Sequence, residues 1–295
     1  MSRPSKAVDD GMTATTLEPA APAQSAGQHV TPREDGGRLA VAAGRGDGGK
    51  TTFLRWNIER ALVHGRTLYV ADADPMNRTL SRVFAGMSPP VLEPGDASDT
   101  ARGAFIRRLS ALGAATQGYV ALDVGGNDRE LEKQGRGADP SKMARLAGWG
   151  LADQEFDTLG VKTATFYVLR GALNDLTGLS MLLDSAIGQR GLVLVLNHGR
   201  TPALPPGEDA FADMRRHEIY QRALKAGAVE FHMPALPGAV AKWLDDNRMQ
   251  FVDAIKGKAP EGKQPLGGWE REAIAVWLGD LEDEVARSNI APLLA

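Results

Sequence analysis

The sequence predicts an α/β fold: a doubly wound, mostly parallel sheet with helices on both faces, and a helical extension at the C-terminal end. Short apolar runs typical of buried strands alternate with helix-period runs from about residue 38 to residue 255. This alternation is the pattern of parallel strands joined by crossover helices. Several of the apolar runs end in polar residues, as strands do where their carboxyl ends form a ligand-binding edge.

The composition excludes several classes of site. The chain of 295 residues contains no cysteine, which rules out disulfides, thiolate zinc sites and cysteine nucleophiles. Lys and Arg number 34 against 37 Asp and Glu, and the net charge of -3 gives no global reason to expect nucleic-acid or membrane-surface binding. There is no apolar run of membrane-spanning length and no apolar core of signal-peptide type at the start, so we expect a cytoplasmic protein.

The chain divides into three predicted regions. Residues 1–36 lack any sustained apolar period and are predicted to be a disordered tail, since they cannot bury enough surface to fold. Residues 37–255 are predicted to form the α/β domain, and residues 256–295 a linker and a C-terminal helix packed on it. Five apolar residues of that helix are predicted to share its buried face: Trp269, Ala273, Val276, Trp277 and Leu281.

The first predicted strand leads into a glycine-rich loop. An apolar run over residues 39–43 is followed by residues 44–52, which read Gly-Arg-Gly-Asp-Gly-Gly-Lys-Thr-Thr and match the phosphate-loop pattern G-x-x-x-x-G-K-[ST] at each fixed position. The helix that follows carries an apolar stripe of Phe53, Leu54, Ile58, Ala61 and Leu62. Strand, loop and helix in this order are the context in which the pattern binds phosphate.

The residue types of this loop suit a phosphate and its magnesium ion. Closely spaced glycines let backbone N–H groups converge on phosphate oxygens, and the helix adds its positive N-terminal end. Lys50 supplies a charge for the β- and γ-phosphates, and the Thr51 hydroxyl is a ligand for Mg²⁺. The predicted binding residues are Gly44, Gly46, Asp47, Gly48, Gly49, Lys50, Thr51 and Thr52.

Two carboxylates follow the second predicted strand. Asp72 and Asp74 come at the end of an apolar run and precede Pro75. Either residue could orient an attacking water or hold Mg²⁺ through water. Alternatively, Asp74 and Pro75 only cap and start the helix that carries Leu80 and Val83. The spacing alone leaves both interpretations open.

A third strand ends in another carboxylate. After a helix face marked by Phe105, Leu109 and Leu112, residues 118–122 form an apolar run that ends at Asp123. Such an aspartate is what a phosphate-loop enzyme requires as a partner for Mg²⁺, and Gly126 could place a backbone N–H near the γ-phosphate. An ordinary strand-end turn is the alternative.

The second half of the chain repeats the alternation. Strands are predicted over 161–169, 191–197 and 228–234, and helices near 143–149, 210–226 and 237–255; a leucine-rich helix with Leu173, Leu176, Leu179, Leu182 and Leu183 lies between the first two strands. The five histidines show no metal-ligand spacing. We therefore predict no metal other than Mg²⁺ at the phosphate loop.

Three separated segments resemble the ParA/MinD-type ATPases, whose phosphate loop carries a second basic residue right after its first glycine. The segments are residues 44–51, 72–77 and 123–126, and the resemblance spans residues 38 to about 255. Within this superfamily, residues 77–81, 122–128 and 265–278 are similar to plasmid mobilisation and conjugation ATPases related to partition proteins. The resemblance implies a phosphate-loop ATPase fold with ATP and Mg²⁺ as ligands.

The resemblance also implies roles for individual residues. Lys50 and Thr51 would bind phosphate and Mg²⁺, Asp74 would orient the attacking water, and Asp123 would support Mg²⁺. Arg45, in the place of the second basic residue, would reach the partner's phosphate in a homodimer that forms on ATP binding. The adenine would be contacted by residues further along the chain: Asn197, Met233 and Pro234.

The resemblance implies partners as well. A DNA-bound or membrane-associated adaptor protein is expected. Direct DNA binding is the further option, through basic residues predicted on one helix, namely Arg215, Arg216, Arg222 and Lys225. A solvated surface is the ordinary explanation for such residues.

The sequence departs from the family pattern at two positions of the loop. Arg45 replaces a lysine but keeps the charge and offers a fork of donors for phosphate. Asp47 stands where glycine is usual, and its carboxylate would repel phosphate by about 1 kcal/mol or more at surface-like dielectric. We therefore expect ATP binding with slow hydrolysis. A nucleotide-bound interaction switch and a phosphate-loop small-molecule kinase are the alternatives.

Overall fold

The computed structural model describes residues 37–74, 77–95, 99–116, 118–124, 159–184, 191–201, 205 and 207–294, without the side chains of 99–103 and 106. The predicted tail, the helix near residues 143–149 and the predicted γ-phosphate contact at Gly126 lie outside these residues. So do Pro75 and most of the segment 122–128. The division of the chain into three regions stays a prediction.

Six parallel strands form one sheet. They are β1 (Arg38–Ala43), β2 (Leu68–Asp72), β3 (Tyr119–Asp123), β4 (Lys162–Leu169), β5 (Leu192–Asn197) and β6 (Val229–Met233), in the spatial order β2-β3-β1-β4-β5-β6. The register sets Asp123 opposite both Ala42 of β1 and Asp72 of β2, and Asn197 opposite Met233. The polar ends of three strands, at Asp72, Asp123 and Asn197, therefore lie along one edge of the sheet, next to the loop that follows β1.

Helices cover both faces of this sheet, so the predicted fold class is confirmed. They are α1 (Lys50–Val63), α2 (Thr79–Val83), α3 (Asp99–Thr116), α4 (Asp175–Leu183), α5 (Ala212–Arg216), α6 (Glu218–Lys225), α7 (Gly238–Asp246), α8 (Phe251–Ile255) and α9 (Gly268–Ser288). One face packs against α1, α2, α7, α8 and α9. The other packs against α3 beneath β1 and β3, and against α4, α5 and α6 beneath β4 and β5.

An aromatic cluster fixes α1, whose first turn belongs to the glycine-rich loop. Phe53 and Trp56 of α1 lie against Phe166 of β4 and Phe231 of β6, with ring centroids 4.9 to 5.7 Å apart. All four rings are buried, and burial of each contributes about 1.5–3 kcal/mol. The position of α1 is thus set by packing that lies entirely below the loop.

Two predicted helices are broken. The helix predicted over 210–226 is interrupted at His217, whose φ of -73° and ψ of 139° are extended, and this residue separates α5 from α6. The helix predicted over 237–255 is interrupted between α7 and α8, where Arg248 has a φ of 52°. The leucine-rich helix α4 begins only at Asp175, which leaves Leu173 before it and 52% exposed.

The prediction of which residues form the buried face of the last helix, α9, is partly wrong. Trp269 is 68% exposed and Val276 53% exposed. Relative to Trp277, these two positions are rotated by about 80° and 100° around a helix axis of 3.6 residues per turn. The buried stripe consists of residues three or four apart: Ile274, Trp277, Leu281 and Val285.

Helix α9 also covers the edge of the sheet at β6. The carboxylate of Glu284 accepts a hydrogen bond from the backbone N–H of His232 at 3.0 Å, and the indole N–H of Trp277 donates to the Pro234 carbonyl at 2.8 Å. At the opposite edge, Leu92 exchanges backbone hydrogen bonds with β2, to Val70 and from Asp72. None of the described helices has the length and hydropathy required to cross a membrane.

Candidate functional site

The glycine-rich loop adopts a conformation that only glycine permits at two of its positions. Gly44 has a φ of 121° and Gly49 a φ of 92°. A Cβ added to Gly44 would lie 2.6 Å from the Val168 carbonyl oxygen, and one added to Gly49 would lie 2.3 Å from Asn197 Nδ2. The loop is therefore held against the ends of β4 and β5, and its shape depends on these two glycines.

Asp47 takes up a backbone conformation that explains why glycine is usual there. Its φ of 59° lies in the left-handed region, which costs most residues roughly 1–2 kcal/mol and which aspartate and asparagine tolerate better than others. The carboxylate is exposed. Asp47 thus keeps the shape of the loop but adds a negative charge to it.

The ammonium group of Lys50 lies inside the loop. Lys50 is the first residue of α1 and is only 5% exposed, and its Nζ donates to the Arg45 carbonyl at 2.7 Å. The same carbonyl accepts from the Gly48 N–H at 3.3 Å. The charge of Lys50 is thereby held where the loop amides are, as a phosphate site requires. Arg45 itself is half-buried, and its proposed reach to a second copy stays a prediction.

Thr51 and Asp123, the two residues predicted to bind and support Mg²⁺, are in direct contact. The Thr51 hydroxyl donates to Asp123 Oδ2 at 2.7 Å, and Asp123 is 2% exposed at the tip of β3. A hydroxyl and a carboxylate oxygen are ligands that Mg²⁺ accepts, and Mg²⁺ bound with a nucleotide takes its other ligands from phosphate and water. The pair therefore fits Mg²⁺. Within the described part of the chain, no cluster of three or more His, Asp or Glu side chains offers a separate metal site.

The two aspartates after β2 have different surroundings. Asp72 is 2% exposed and accepts hydrogen bonds from the backbone N–H groups of Asp74 at 3.1 Å and of Ser81 at 3.0 Å. Burial raises the pKa of Asp72 in spite of these bonds. Ser81 is in the first turn of α2, so the capping role that the alternative interpretation gave to Asp74 belongs to Asp72.

Asp74 is arranged as a turn residue at the same edge of the sheet. Its carboxylate accepts from Asn77 N and Asn77 Nδ2, both at 3.1 Å. Helix α2 begins at Thr79, so Asp74 and Pro75 do not start it directly. The role of Asp74 in orienting water stays a prediction.

Asn197 links β5 to the loop. It is 3% exposed, its Nδ2 donates to the Gly48 carbonyl at 2.7 Å, and its Oδ1 accepts from Gly199 N at 2.9 Å. Both ends of the amide thus bind backbone in this structure. The predicted adenine contact of Asn197 stays a prediction.

A cavity of about 330 Å³ lies beside the loop. Five of its lining residues are ones that the sequence assigned to the cofactor: Gly49, Thr52, Asn197, Met233 and Pro234. Because Asn197 and Met233 are paired in register, the ends of β5 and β6 form one wall. The cavity therefore places two of the predicted phosphate residues, Gly49 and Thr52, beside the three predicted base residues.

Arg55 also lines this cavity, and the sequence did not predict it. It is 2% exposed, its guanidinium lies 4.2 Å from the centroid of the Phe251 ring, and Nη1 is 3.4 Å from Asp245 Oδ1. Glu59, one turn further along α1, lies 3.5 Å from Arg55 Nε and accepts from Phe251 N at 2.9 Å. Burial lowers the pKa of Arg55 and raises that of Glu59, against their mutual attraction. The spacing of four residues was the available signal.

Arg170 is the second residue that the sequence reasoning missed. It follows β4 directly, and its side chain binds the buried carboxylate of Asp175 and the Gly46 carbonyl of the loop. Its neighbours in sequence carry no recognisable pattern. Only the pairing of β4 with β1 brings it to the loop.

The basic residues predicted to contact DNA do not share one helix. Arg215 and Arg216 belong to α5, whereas Arg222 and Lys225 belong to α6. The three arginines form ion pairs within the chain: Arg215 with Glu230 at 3.0 Å, Arg216 with Asp213 at 3.4 Å and Arg222 with Asp184 at 2.5 Å. The structure thus favours the ordinary explanation, a solvated surface, for these charges.

No protein-family model matches the sequence, and no curated protein matches it. Among solved structures, the chain is similar to the signal recognition particle receptor FtsY from Elizabethkingia anophelis, at 11% identity and a TM-score of 0.44, covering 82% of this chain and 65% of that one. Chloroplast FtsY from Physcomitrella patens shows 14% identity and a TM-score of 0.41, covering 84% of this chain and 66% of that one. The chain thus spans slightly less than two thirds of the length of these two receptors.

A third similar structure is the MinC:MinD cell division protein complex from Aquifex aeolicus. It shows 13% identity and a TM-score of 0.44, covering 84% of this chain and 96% of that one. At this level of similarity these structures say nothing about activity.

Proposed function

We propose that this chain is an ATPase of the ParA/MinD type that binds Mg-ATP and dimerises on doing so. The observation that carries the proposal is the contact of Thr51 with Asp123 at 2.7 Å, beside a loop whose Lys50 ammonium is held among backbone groups. This combination of hydroxyl, carboxylate and lysine matches what a magnesium-bound triphosphate requires. A nucleotide is favoured over a smaller anion because the cavity of about 330 Å³ opens beside the same loop.

The proposed reaction is the hydrolysis of ATP to ADP and phosphate. The oxygen of a water molecule attacks the γ-phosphorus while the bond to the bridging oxygen of ADP breaks. Asp74 orients this water, Lys50 binds the β- and γ-phosphates, and Arg45 of a second copy stabilises the charge that develops on the oxygens. Mg²⁺, held by Thr51 and supported by Asp123, supplies charge neutralisation when bound. The exposed Asp47 carboxylate favours slow turnover.

We place the proposed activity in plasmid partition, stability or conjugative transfer, with a DNA-bound or membrane-associated adaptor protein as partner. Support for this cellular role comes only from the sequence similarity of residues 77–81, 122–128 and 265–278 to plasmid mobilisation ATPases. The exposed Trp269 and Val276 belong to the last of these segments.

The proposal is tested by measuring molecular mass in solution and phosphate release with ATP, with ADP and without nucleotide, each with and without DNA. We expect a dimer only with Mg²⁺ and ATP. Because a hydrogen bond to a charged group contributes about 1.5–3 kcal/mol, Lys50→Ala should bind ATP about tenfold or more weakly. A wild-type protein that binds no ATP, or that binds it no better than Lys50→Ala, would overturn the proposal.

A nucleotide-bound switch with little hydrolysis is the second candidate, and the exposed charge of Asp47 at a left-handed position favours it. Such a protein would bind ATP and change its oligomeric state but release phosphate no faster than an Asp74→Ala variant. Turnover that Asp74→Ala abolishes would exclude this second candidate.

A further inference from the structure

Arg170 contacts the phosphate loop from the neighbouring strand. Strand β1 pairs with β4, and Ala43 lies opposite Tyr167. Gly46 and Arg170 each follow three residues later, and the two residues lie side by side. Arg170 Nη1 donates to the Gly46 carbonyl at 3.4 Å. This is a long hydrogen bond, but the side chain that makes it is firmly oriented.

The orientation comes from Asp175, the first residue of α4. Asp175 is fully buried, and its carboxylate accepts from Arg170 Nη2 at 2.6 Å, from Nε at 3.2 Å and from the Arg170 backbone N–H at 2.8 Å. One residue thus supplies these three donors. Because the fork of the guanidinium is bound at two nitrogens, its third nitrogen is fixed toward the loop.

The contact determines which way one peptide unit faces. In a planar trans peptide the C=O and the following N–H point to opposite sides. With the Gly46 carbonyl directed to Arg170, the N–H of Asp47 points away from Arg170. If this peptide unit turned over, the φ of Asp47 would change from 59° to about -120°, a value in the broad β region that aspartate prefers.

We propose that Arg170 is a positioning residue of the phosphate site, which holds the Gly46–Asp47 peptide unit in the orientation that presents the Asp47 N–H to phosphate. The proposal rests on the proposed nucleotide-binding function. It gives Arg170 a specific reason to be present in this chain. Glycine at position 47 would accept either orientation of the peptide unit at similar cost. Asp47 favours the turned orientation, so the contact with Arg170 is needed to hold the other one.

The experiment measures the dissociation constants of ATP and ADP by titration calorimetry and the unfolding temperature of each variant. Arg170→Met alone would leave the buried Asp175 carboxylate without its charge partner. We therefore use the double variant Arg170→Met with Asp175→Asn, in which the amide oxygen still accepts the backbone N–H of residue 170. Arg222→Met, which removes an arginine from the exposed pair with Asp184, is the matched control.

We expect the double variant to bind ATP about tenfold more weakly than wild type, and the control to bind as wild type does. Arg170→Lys should also bind more weakly, because a single ammonium cannot hold Asp175 and Gly46 together. Wild-type affinity in a folded double variant would overturn this inference and leave the proposed function standing. A wild-type protein that binds no nucleotide would overturn the proposed function, and this inference with it.

Variants at position 47 separate positioning from simple charge compensation. In the background of the double variant, Asp47→Gly should restore most of the lost ATP affinity, because glycine has no preference for the turned peptide. Asp47→Asn removes the charge but keeps a side chain, so it should restore less than Asp47→Gly. Equal restoration by both would show that Arg170 only neutralises Asp47, and would overturn the positioning role.

Discussion

Thr51 and Asp123 lie 72 positions apart in sequence but 2.7 Å apart in the structure. The cause is local to the sheet: β3 pairs directly with β1, which leads into the loop. Asp123 is nearly inaccessible, and its carboxylate accepts a hydrogen bond from the Thr51 hydroxyl. Under the proposed function, these two residues determine how much Mg²⁺ strengthens nucleotide binding.

The first prediction concerns Thr51→Val, which removes the hydroxyl and keeps the branched shape. Mg²⁺ loses a ligand and Asp123 loses a donor, so the gain in ATP affinity on adding Mg²⁺ should shrink about tenfold or more. ATP titrations with Mg²⁺ and with a chelator measure this gain. Thr165→Val, a buried change in the middle of β4, is the control and should keep it. An unchanged gain in Thr51→Val would contradict the assignment.

At the scale of elements, α1 is attached to α7 and α8 through one buried ion pair. Arg55 reaches Asp245 of α7 and the carbonyl of Met249, while Glu59 accepts from two N–H groups at the start of α8, those of Phe251 and Val252. Because these helices line the cavity beside the loop, the pair holds the cavity wall in place as well as the fold.

The second prediction is that Glu59→Gln lowers the free energy of unfolding by about 3 kcal/mol, since it removes the buried charge partner of Arg55. Asp245, whose side chain is 54% exposed, remains as a weaker partner. Urea unfolding measures the loss. Glu282→Gln breaks the exposed pair with Arg60 and should cost less than about 1 kcal/mol. Similar losses for the two variants would mean that the buried pair contributes no more to stability than the exposed pair does.

Two histidines join the ends of β5 and β6. His198 Nε2 lies 2.9 Å from His232 Nδ1, and the rings are stacked with centroids 5.2 Å apart. Burial first, and then His232 and Arg215, lower the pKa of His198, while Asp209 and Glu284 oppose this in part. His198 therefore binds a proton less readily in the folded chain than in the unfolded chain.

The third prediction follows from that direction. An unfolded histidine has a pKa of about 6.5. In the window below this value the unfolded state binds more protons than the folded state, so the free energy of unfolding decreases as the pH is lowered. Above about pH 6.5 the contribution of His198 is fully present. Urea unfolding between pH 7.5 and pH 5 should show that the free energy of unfolding decreases less in His198→Gln than in wild type as the pH is lowered. A steeper or equal slope in His198→Gln would contradict the assignment.

At the scale of the whole molecule, the alternation of strands and helices was predictable because apolar periodicity is a local property. The same holds for the loop, whose glycines are required by positive φ angles and by close approach to Val168 and Asn197. Contacts between distant segments were not predictable. Arg55 finds Asp245 across 190 positions and Arg170 finds Gly46 across 124, and only the completed sheet determines such pairs. The exposed Trp269 was misplaced because hydrophobicity alone does not fix the rotation of a helix.

The fourth prediction concerns the proposed dimer. If Arg45 acts on the partner's nucleotide while Asp74 acts on its own, Arg45→Ala and Asp74→Ala are each inactive alone. In an equal mixture, half of the dimers are mixed and each has one intact site, so phosphate release should recover to about a quarter of the wild-type rate. A mixture as inactive as its components would show that Arg45 acts within its own chain.

The hydrogen bond from His232 N to Glu284 has a consequence for how copies of this chain can associate. It occupies an outward-facing N–H group of the edge strand β6, and Leu92 does the same for β2. Open strand edges are the usual route by which sheets extend from one molecule into the next. The groups occupied at each edge make such extension of the sheet less favourable. The proposed dimer would then form through side-chain surfaces, where contact is more easily reversed when nucleotide leaves.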